Sequence, residues 1–254
     1  MKYGFIGTGE ITKAIVTGMC TTDNPPETIW VSPRNRNNAA RLANTFAPVQ
    51  VGGSNQDVLD QCDVIVLAVL PHQKEAILNP LRFRSDQTVI HLLAGTPIDD
   101  VAPLVAPAGT IIRAVPLPCT AIHKGPIAVY PQNPRASALF DPLGTVISLA
   151  TEAQLETLSI VTALIAPYYA FVRAAVDWAD KEGIQRRKAT TFTASMFEAL
   201  SAIAGDSQAS DIDELIDRCM TPDGLNEQAM VIINENGGFS SLTAALDRVK
   251  EKSG

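Results

Sequence analysis

Histidine is scarce in this chain of 254 residues: three copies, at positions 72, 91 and 123, lie too far apart to suggest a shared metal ion. The four cysteines, Cys20, Cys62, Cys119 and Cys219, are just as scattered and form no C-x-x-C pair, which argues against a zinc knuckle or a small disulfide framework. They are expected to be reduced and mostly buried. Positive charge is in deficit, 20 Lys and Arg against 27 Asp and Glu, so a net charge of -7 argues against general affinity for nucleic acid or an anionic membrane. No basic face is obvious outside residues 34–41. No run approaches eighteen consecutive apolar residues, and no basic stretch precedes an apolar segment at the start; the expectation is a soluble, cytoplasmic protein. Internal repeats and low-complexity linkers are also lacking.

What is present is enough apolar material, 46% of residues, to bury a substantial core. The chain is organised around its first fifteen residues, where the apolar run Tyr3 to Ile6 enters Gly7-Thr8-Gly9 and leaves into a helical pattern from Glu10 and Ile11. In a dinucleotide site Gly7 permits the tight turn and Gly9 lets backbone approach a pyrophosphate. The amides opening the helix then point at the anion. Thr12 stands where a third glycine or alanine is usual. A lone Gly-x-Gly is a weak signal, but this one joins a strand to a helix, and a second strand follows at βαβ distance.

Strands are expected over 3–6, 28–32, 49–51, 64–68, 88–93 and 110–115. Helices are expected over 10–20, 34–46, 55–61, 73–79 and 97–105. This rhythm implies a doubly wound α/β fold with a parallel sheet. Strand-like runs at 127–130 and 145–149 extend the far edge of the sheet. At Thr151-Glu152-Ala153-Gln154 a capping box opens a long helical region, and strand signals do not return. The expected division is therefore a Rossmann-like domain over 1–150 and an all-helical domain over 151–254. Its helices are expected over 152–182 with a kink near Pro167, then 186–204, 210–219, 223–235 and 239–251, with stops at Gly183 and Gly237-Gly238.

The second expected strand ends in Val31-Ser32-Pro33-Arg34-Asn35-Arg36-Asn37, where a NAD site usually has a carboxylate for the ribose hydroxyl. A hydroxyl and two guanidiniums suit a 2′-phosphate instead, so NADP(H) is the expected cofactor, with Ser32, Arg34 and Arg36 near its adenosine end. The competing reading makes Arg34 and Arg36 the solvated start of a surface helix. Lys13 is read as solvated.

These features resemble the pyrroline-5-carboxylate reductase family, nearly end to end. The landmarks are Gly4-Phe5-Ile6-Gly7-Thr8-Gly9, the strand exit Val64-Ile65-Val66-Leu67-Ala68-Val69-Leu70-Pro71, Ala94-Gly95, and Ile112-Arg113-Ala114-Val115-Pro116. Val161 to Leu164, Pro167-Tyr168, Asp217 to Gly224 and Glu235 to Phe239 continue the series. The resemblance implies NADPH-dependent reduction of a cyclic imine and a helical dimerisation domain, with two chains interleaving as a homodimer around an interfacial active site. It also adds Ala68, Val69, Pro71, Ala94 and Gly95 to the cofactor site. The substrate half departs from the family. Leu117 replaces an asparagine, Leu164-Ile165-Ala166-Pro167-Tyr168-Tyr169 replaces a run rich in Ser and Gly, and Leu225-Asn226 replaces a pair of threonines. Each hydrogen bond lost from a buried carboxylate site costs about 1–3 kcal/mol, which points to a less anionic imine or carbonyl substrate.

A neutral C=N or C=O needs a proton donor, for which His72 and Tyr168 are candidates, and Asn226 is the candidate hydrogen-bonding group beside them. The plainer alternatives are a surface histidine at a helix start and a packed bundle tyrosine. His91, inside an apolar run, is expected to be a buried, hydrogen-bonded core residue; His123 is uncommitted. Asp177, Asp180 and Glu182, mixed with Arg173, Lys181 and Arg186, read as an exposed charged face. Two other functions remain open: genuine pyrroline-5-carboxylate reduction in proline biosynthesis, and a non-catalytic NADPH-binding sensor.

Overall fold

The computed structural model describes residues 1–206 and 211–253, which form two compact units, Met1–Ser159 and Ile160–Gly254. Eight strands make one sheet in the first unit: β1 (Tyr3–Ile6), β2 (Ile29–Val31), β3 (Val49–Val51), β4 (Val64–Leu67), β5 (Thr88–His91), β6 (Thr110–Val115), β7 (Pro126–Tyr130) and β8 (Thr145–Ser148). Their order is β3-β2-β1-β4-β5-β6-β7-β8, so the sheet grows outward in both directions from the β1/β4 boundary. The first six run parallel, while β7 is antiparallel to β6 and carries β8 parallel to itself.

Alternation along each strand feeds two apolar layers. Tyr3, Phe5, Val64, Val66 and Ile90 face the helices α1 (Glu10–Cys20) and α2 (Arg36–Thr45). On the opposite face Ile6, Ile65, Leu67 and Val89 meet α3 (Asn55–Gln61), α4 (Lys74–Leu78) and α5 (Ile98–Val105). The aliphatic and aromatic side chains that are fully enclosed this way each contribute about 1.5–3 kcal/mol relative to exposure. The sequence gives no sign of α6 (Pro134–Phe140), which lies in a proline-rich stretch; Pro134 occupies its first position, where a missing N–H costs nothing, and Asn133 caps it through Arg135 N–H at 2.8 Å.

At α7 (Glu152–Val161) the capping box is present: Gln154 N–H donates to Thr151 Oγ1 at 3.3 Å, and Gln154 Oε1 accepts from Ala150 N–H at 3.0 Å. A 3-10 turn at Thr162–Leu164 separates α7 from α8 (Ile165–Lys181). The break therefore precedes Pro167, which sits in the first turn of α8, where proline is tolerated. After α8 come α9 (Arg186–Gly205), α10 (Ile212–Cys219), α11 (Leu225–Glu235) and α12 (Gly238–Ser253). Position 210, where the helix over 210–219 was expected to begin, lies outside the described residues. Gly183 at φ +90 and Gly237 at φ +70 end their helices as expected.

The helical unit buries little of its apolar surface. Only Val176 of α8 is fully enclosed, α10 and α11 enclose no side chain, and Tyr169, Trp178 and Phe192 are exposed. By length and hydropathy Glu152–Lys181 could also cross a membrane, with mean hydropathy 1.5. Among the cysteines only Cys62 is buried, and Cys219 is exposed; all four are free. Burial pushes the Cys20 thiol up to about 11 and the Cys62 thiol to about 12, so neither is a reactive thiolate.

One polar cluster lies within the first unit. Arg113 of β6 is 3% exposed and donates to Glu152 Oε1 at 3.2 Å and to Glu156, both on α7. Its register partner on β5 is His91, fully buried, with no hydrogen-bond partner among the described residues for either ring nitrogen. This corrects the expectation of a hydrogen-bonded core histidine: Val89 and Ile90 beside it on β5 are apolar, and its register partner is the Arg113 cation, which can only donate. Burial first, and Arg113 second, push the His91 pKa from 6.5 down to about 3. The folded chain thus refuses a proton that the unfolded chain accepts. The stability linked to neutral His91 is complete above pH 6.5 and is lost as pH falls from there toward 3. Replacing His91 by leucine removes two unsatisfied nitrogens and this linkage. We expect H91L to melt near the wild-type temperature at neutral pH and to lose distinctly less stability on acidification, by a difference on the order of a few kcal/mol at about pH 4; thermal melts at a series of pH values measure it.

Candidate functional site

A cleft of about 590 Å³ opens at the carboxyl ends of β1, β2 and β4, where the strand order reverses. Gly7, Thr8, Gly9, Ser32, Arg34, Arg36, Ala68 and Val69, all singled out in the sequence, are among the residues that line it. Its size falls within the usual range for a small-molecule site.

The two glycines do different work. Gly7 adopts φ +96, and a Cβ there would lie 2.3 Å from the Ala68 carbonyl oxygen, so backbone meets backbone across the β1/β4 boundary. A Cβ on Gly9 would meet nothing within 4 Å. Gly9 precedes α1, and the first intrahelical bond runs from Lys13 N–H to Gly9 O at 3.0 Å, which leaves the earlier amides at the cleft end of the helix without helical partners. Open space beside unpaired amides is what a phosphate requires.

Thr12 is fully buried, and its hydroxyl donates to Gly7 O at 2.6 Å, bracing the turn from within α1. That bond explains why threonine fits where glycine or alanine is usual. Ser32, also fully buried, accepts from Gly7 N–H through Oγ at 2.9 Å, and Thr8 Oγ1 donates to Ser32 O at 2.7 Å. With Thr8's proton given away, the 3.1 Å contact between the two hydroxyls has Ser32 as donor. Ser32 therefore shapes the loop, and its hydroxyl is already committed. Asn38 Nδ2 holds Thr8 O at 3.0 Å.

On the rim, Arg34 is exposed and donates through Nη1 to Gln73 Oε1 at 2.9 Å, bridging the end of β2 and the 3-10 turn Pro71–Gln73. Ile6, Asn35, Asn37, Asn55, Leu70, Gln73 and Ile77 complete the lining. Sequence reading missed them; apart from Ile6, in β1, the only signal was their place after β2, β3 and β4. Among the described residues no carboxylate lines the cleft. Glu10 and Ile11 begin α1 without lining the cleft, and Lys13 pairs with Glu10 at 2.8 Å, holding that carboxyl below its ordinary range.

Pro71, Ala94 and Gly95 do not line this cleft either; Ala94 and Gly95 sit exposed after β5, Gly95 at φ +60. His72 is exposed in the 3-10 turn and lies outside the cleft lining. Tyr168 and Asn226 belong to the helical unit. Tyr168 is 46% exposed and packs edge-on against Tyr169 and Phe197, and Asn226 opens α11 and donates to Cys219 O at 3.2 Å. His123, at φ 56, contacts Gly18 O at 2.9 Å through Nε2 and so serves the end of α1.

Residues 2–95 match the family described as NADP oxidoreductase coenzyme F420-dependent, and residues 152–254 match the pyrroline-5-carboxylate reductase dimerisation family. The chain is 24% identical to the pyrroline-5-carboxylate reductase of Pseudomonas aeruginosa over 99% of its own length and 95% of that protein's. The structure of Plasmodium falciparum pyrroline carboxylate reductase with NADP bound superposes with TM-score 0.85 at 18% identity, covering 100% of this chain and 97% of that one. The reductive aminase of Aspergillus terreus, in complex with NADPH4, cyclohexanone and allyl amine, gives TM-score 0.60 at 18% identity, covering 100% and 95%. A doubly wound dinucleotide domain followed by a helical dimerisation domain defines an NADP-dependent oxidoreductase. Within that class, the chain carries a pyrroline-5-carboxylate reductase dimerisation domain and is similar to pyrroline-5-carboxylate reductases over nearly its whole length.

The two glycines separate folding from binding. Gly7→Ala forces a strained φ and a clash with Ala68 O, and is expected to lower the melting temperature severely. Gly9→Val meets no protein atom at its Cβ, so it is expected to keep the wild-type melting temperature and weaken NADPH binding by at least about tenfold. Thermal melts and NADPH titration of both variants test this.

Proposed function

We propose that this protein is an NADPH-dependent imine reductase whose substrate carries less negative charge than pyrroline-5-carboxylate. The observation that carries the cofactor half is the cleft itself: a glycine opening onto bare amides at one end, Arg34 and Arg36 on the rim, and no carboxylate among the lining residues. A guanidinium offers several donors in a fixed fork to a phosphate, and Gln73 orients that of Arg34. Glu10, Ile11, Pro71, Ala94 and Gly95 are proposed as the outlying cofactor contacts, Ala94 and Gly95 beside the nicotinamide ring. When bound, NADPH supplies the hydride.

The chain's own task is then to orient the C=N carbon, exclude water and supply one proton to nitrogen. We assign proton donation to His72 or Tyr168, and to Asn226 a hydrogen bond to the substrate. Leu117, Ile165 and Leu225 would line the substrate's surroundings with hydrocarbon. The apolar side chains left exposed on α8 and α9 are proposed to interleave with those of a second copy, burying surface that a monomer leaves in water.

The test is NADPH oxidation by purified protein with pyrroline-5-carboxylate, 1-pyrroline and 2-methyl-1-pyrroline. Even one lost hydrogen bond to a carboxylate, about 1–3 kcal/mol, changes preference by roughly fivefold to more than a hundredfold. We expect kcat/KM for the uncharged imines to exceed that for pyrroline-5-carboxylate by at least about tenfold. Preference for pyrroline-5-carboxylate would restore proline synthesis as the function, and tight NADPH binding with no turnover of any of the three would favour the sensor.

A further inference from the structure

The Arg113 cluster lies outside the cleft lining, yet it reaches toward the chemistry along one path. Glu152 Oε1 accepts from Arg113 Nη1 and also from the backbone N–H of Ile98, at 2.9 Å. Ile98 is the first residue of α5, and the segment from Ala94 to Pro97 joins it to β5. Inside that segment the hydrogen bonds are long, although Thr96 itself is buried: Thr96 Oγ1 donates to Ala94 O at 3.3 Å, and Thr96 N–H to Leu93 O at 3.4 Å. The firm anchors are β5 at one end and the Glu152 carboxylate at the other.

Glu152 is itself held in place. Its partner Arg113 is 3% exposed on a strand in the middle of the sheet, with its second guanidinium nitrogen engaged by Glu156 one helical turn along α7. Glu152 and Glu156 keep 26% and 32% of their side chains exposed, and such a half-buried ion pair adds little net stability; what it supplies is fixed geometry. The cluster contains no other carboxylate, and its remaining titratable member, His91, is neutral.

The geometry points to Glu152 as a positioning residue for hydride transfer: clamped by Arg113, it fixes the Ala94–Pro97 loop through the Ile98 amide. This rests on the reading that Ala94 and Gly95 lie beside the nicotinamide. The loop would then set the depth of the ring, while the Gly7–Gly9 turn and Arg34 set affinity at the other end of the cofactor. Loss of Glu152 should thus leave NADPH bound but poorly placed.

The test compares Glu152→Ala, Glu152→Gln and Ala94→Phe with the wild-type full chain. For E152A we expect faster hydrogen exchange in the peptide containing Ile98, an NADPH dissociation constant within about threefold of wild type, and loss of at least about half of the fluorescence enhancement of bound NADPH. E152Q keeps an acceptor for the Ile98 amide and is expected to restore most of that enhancement. A lower melting temperature with unchanged loop exchange and unchanged NADPH fluorescence in E152A would reduce Glu152 to a purely structural role and overturn the proposal. So would an E152Q variant as impaired as E152A. Ala94→Phe tells the two failures apart: if it alters NADPH fluorescence and E152A does not, only the positioning role falls. If Ala94→Phe also leaves the fluorescence unchanged, the loop is not beside the nicotinamide, and its functional reading falls as well.

Discussion

At the exit of β1 two stretches of backbone come closer together than any side chain permits. The Gly7 turn crosses the Ala68 carbonyl at a distance that leaves no room for a Cβ, and it does so at the one boundary in the sheet where successive connections turn in opposite directions. The phosphate-facing part of the proposed cofactor site follows from that contact. It directs α1 so that its unpaired amides face the cleft, and it places Ser32 and Thr12 where their hydroxyls take the N–H and the carbonyl of Gly7. Both side chains are fully buried, so the turn is held by bonds that water does not contest.

The two units show different degrees of completeness. The first closes two apolar layers over its sheet and satisfies its glycine loop internally. The second leaves Tyr169, Trp178, Phe192 and Leu225 exposed, a composition that monomeric surfaces avoid and that the dimerisation family match accounts for. The proposed cofactor cleft is thus formed within the first unit, whereas the residues proposed for the substrate's surroundings lie in part on the unit that leaves its apolar side chains exposed.

Much of this was readable from residues alone. All eight strands were anticipated, because short apolar runs bounded by turns carry their own signal, and the Gly-x-Gly turn was recognisable from what flanks it. The helix Pro134–Phe140 was hidden by prolines that in fact open and follow it. Ser32 was expected to face the cofactor; its hydroxyl turns inward because Gly7 N–H lies in reach, a contact spanning 25 positions that no local pattern encodes. Arg113 looked like one residue in a family landmark. Its meaning came only when the fold brought Glu152 and Glu156 beside it, and the unpartnered ring of His91 was visible only once its neighbours were known.

The proposed function stands on hydride passing from NADPH to the carbon of a C=N bond. Transfer of deuterium tests it directly: NADPH labelled at C4, prepared separately on each face, is incubated with the protein and 2-methyl-1-pyrroline, and the amine product is weighed by mass spectrometry. One deuterium is expected on the former imine carbon from one of the two labelled cofactors and none from the other. Unlabelled amine from both, or no amine at all from any imine supplied, would contradict it.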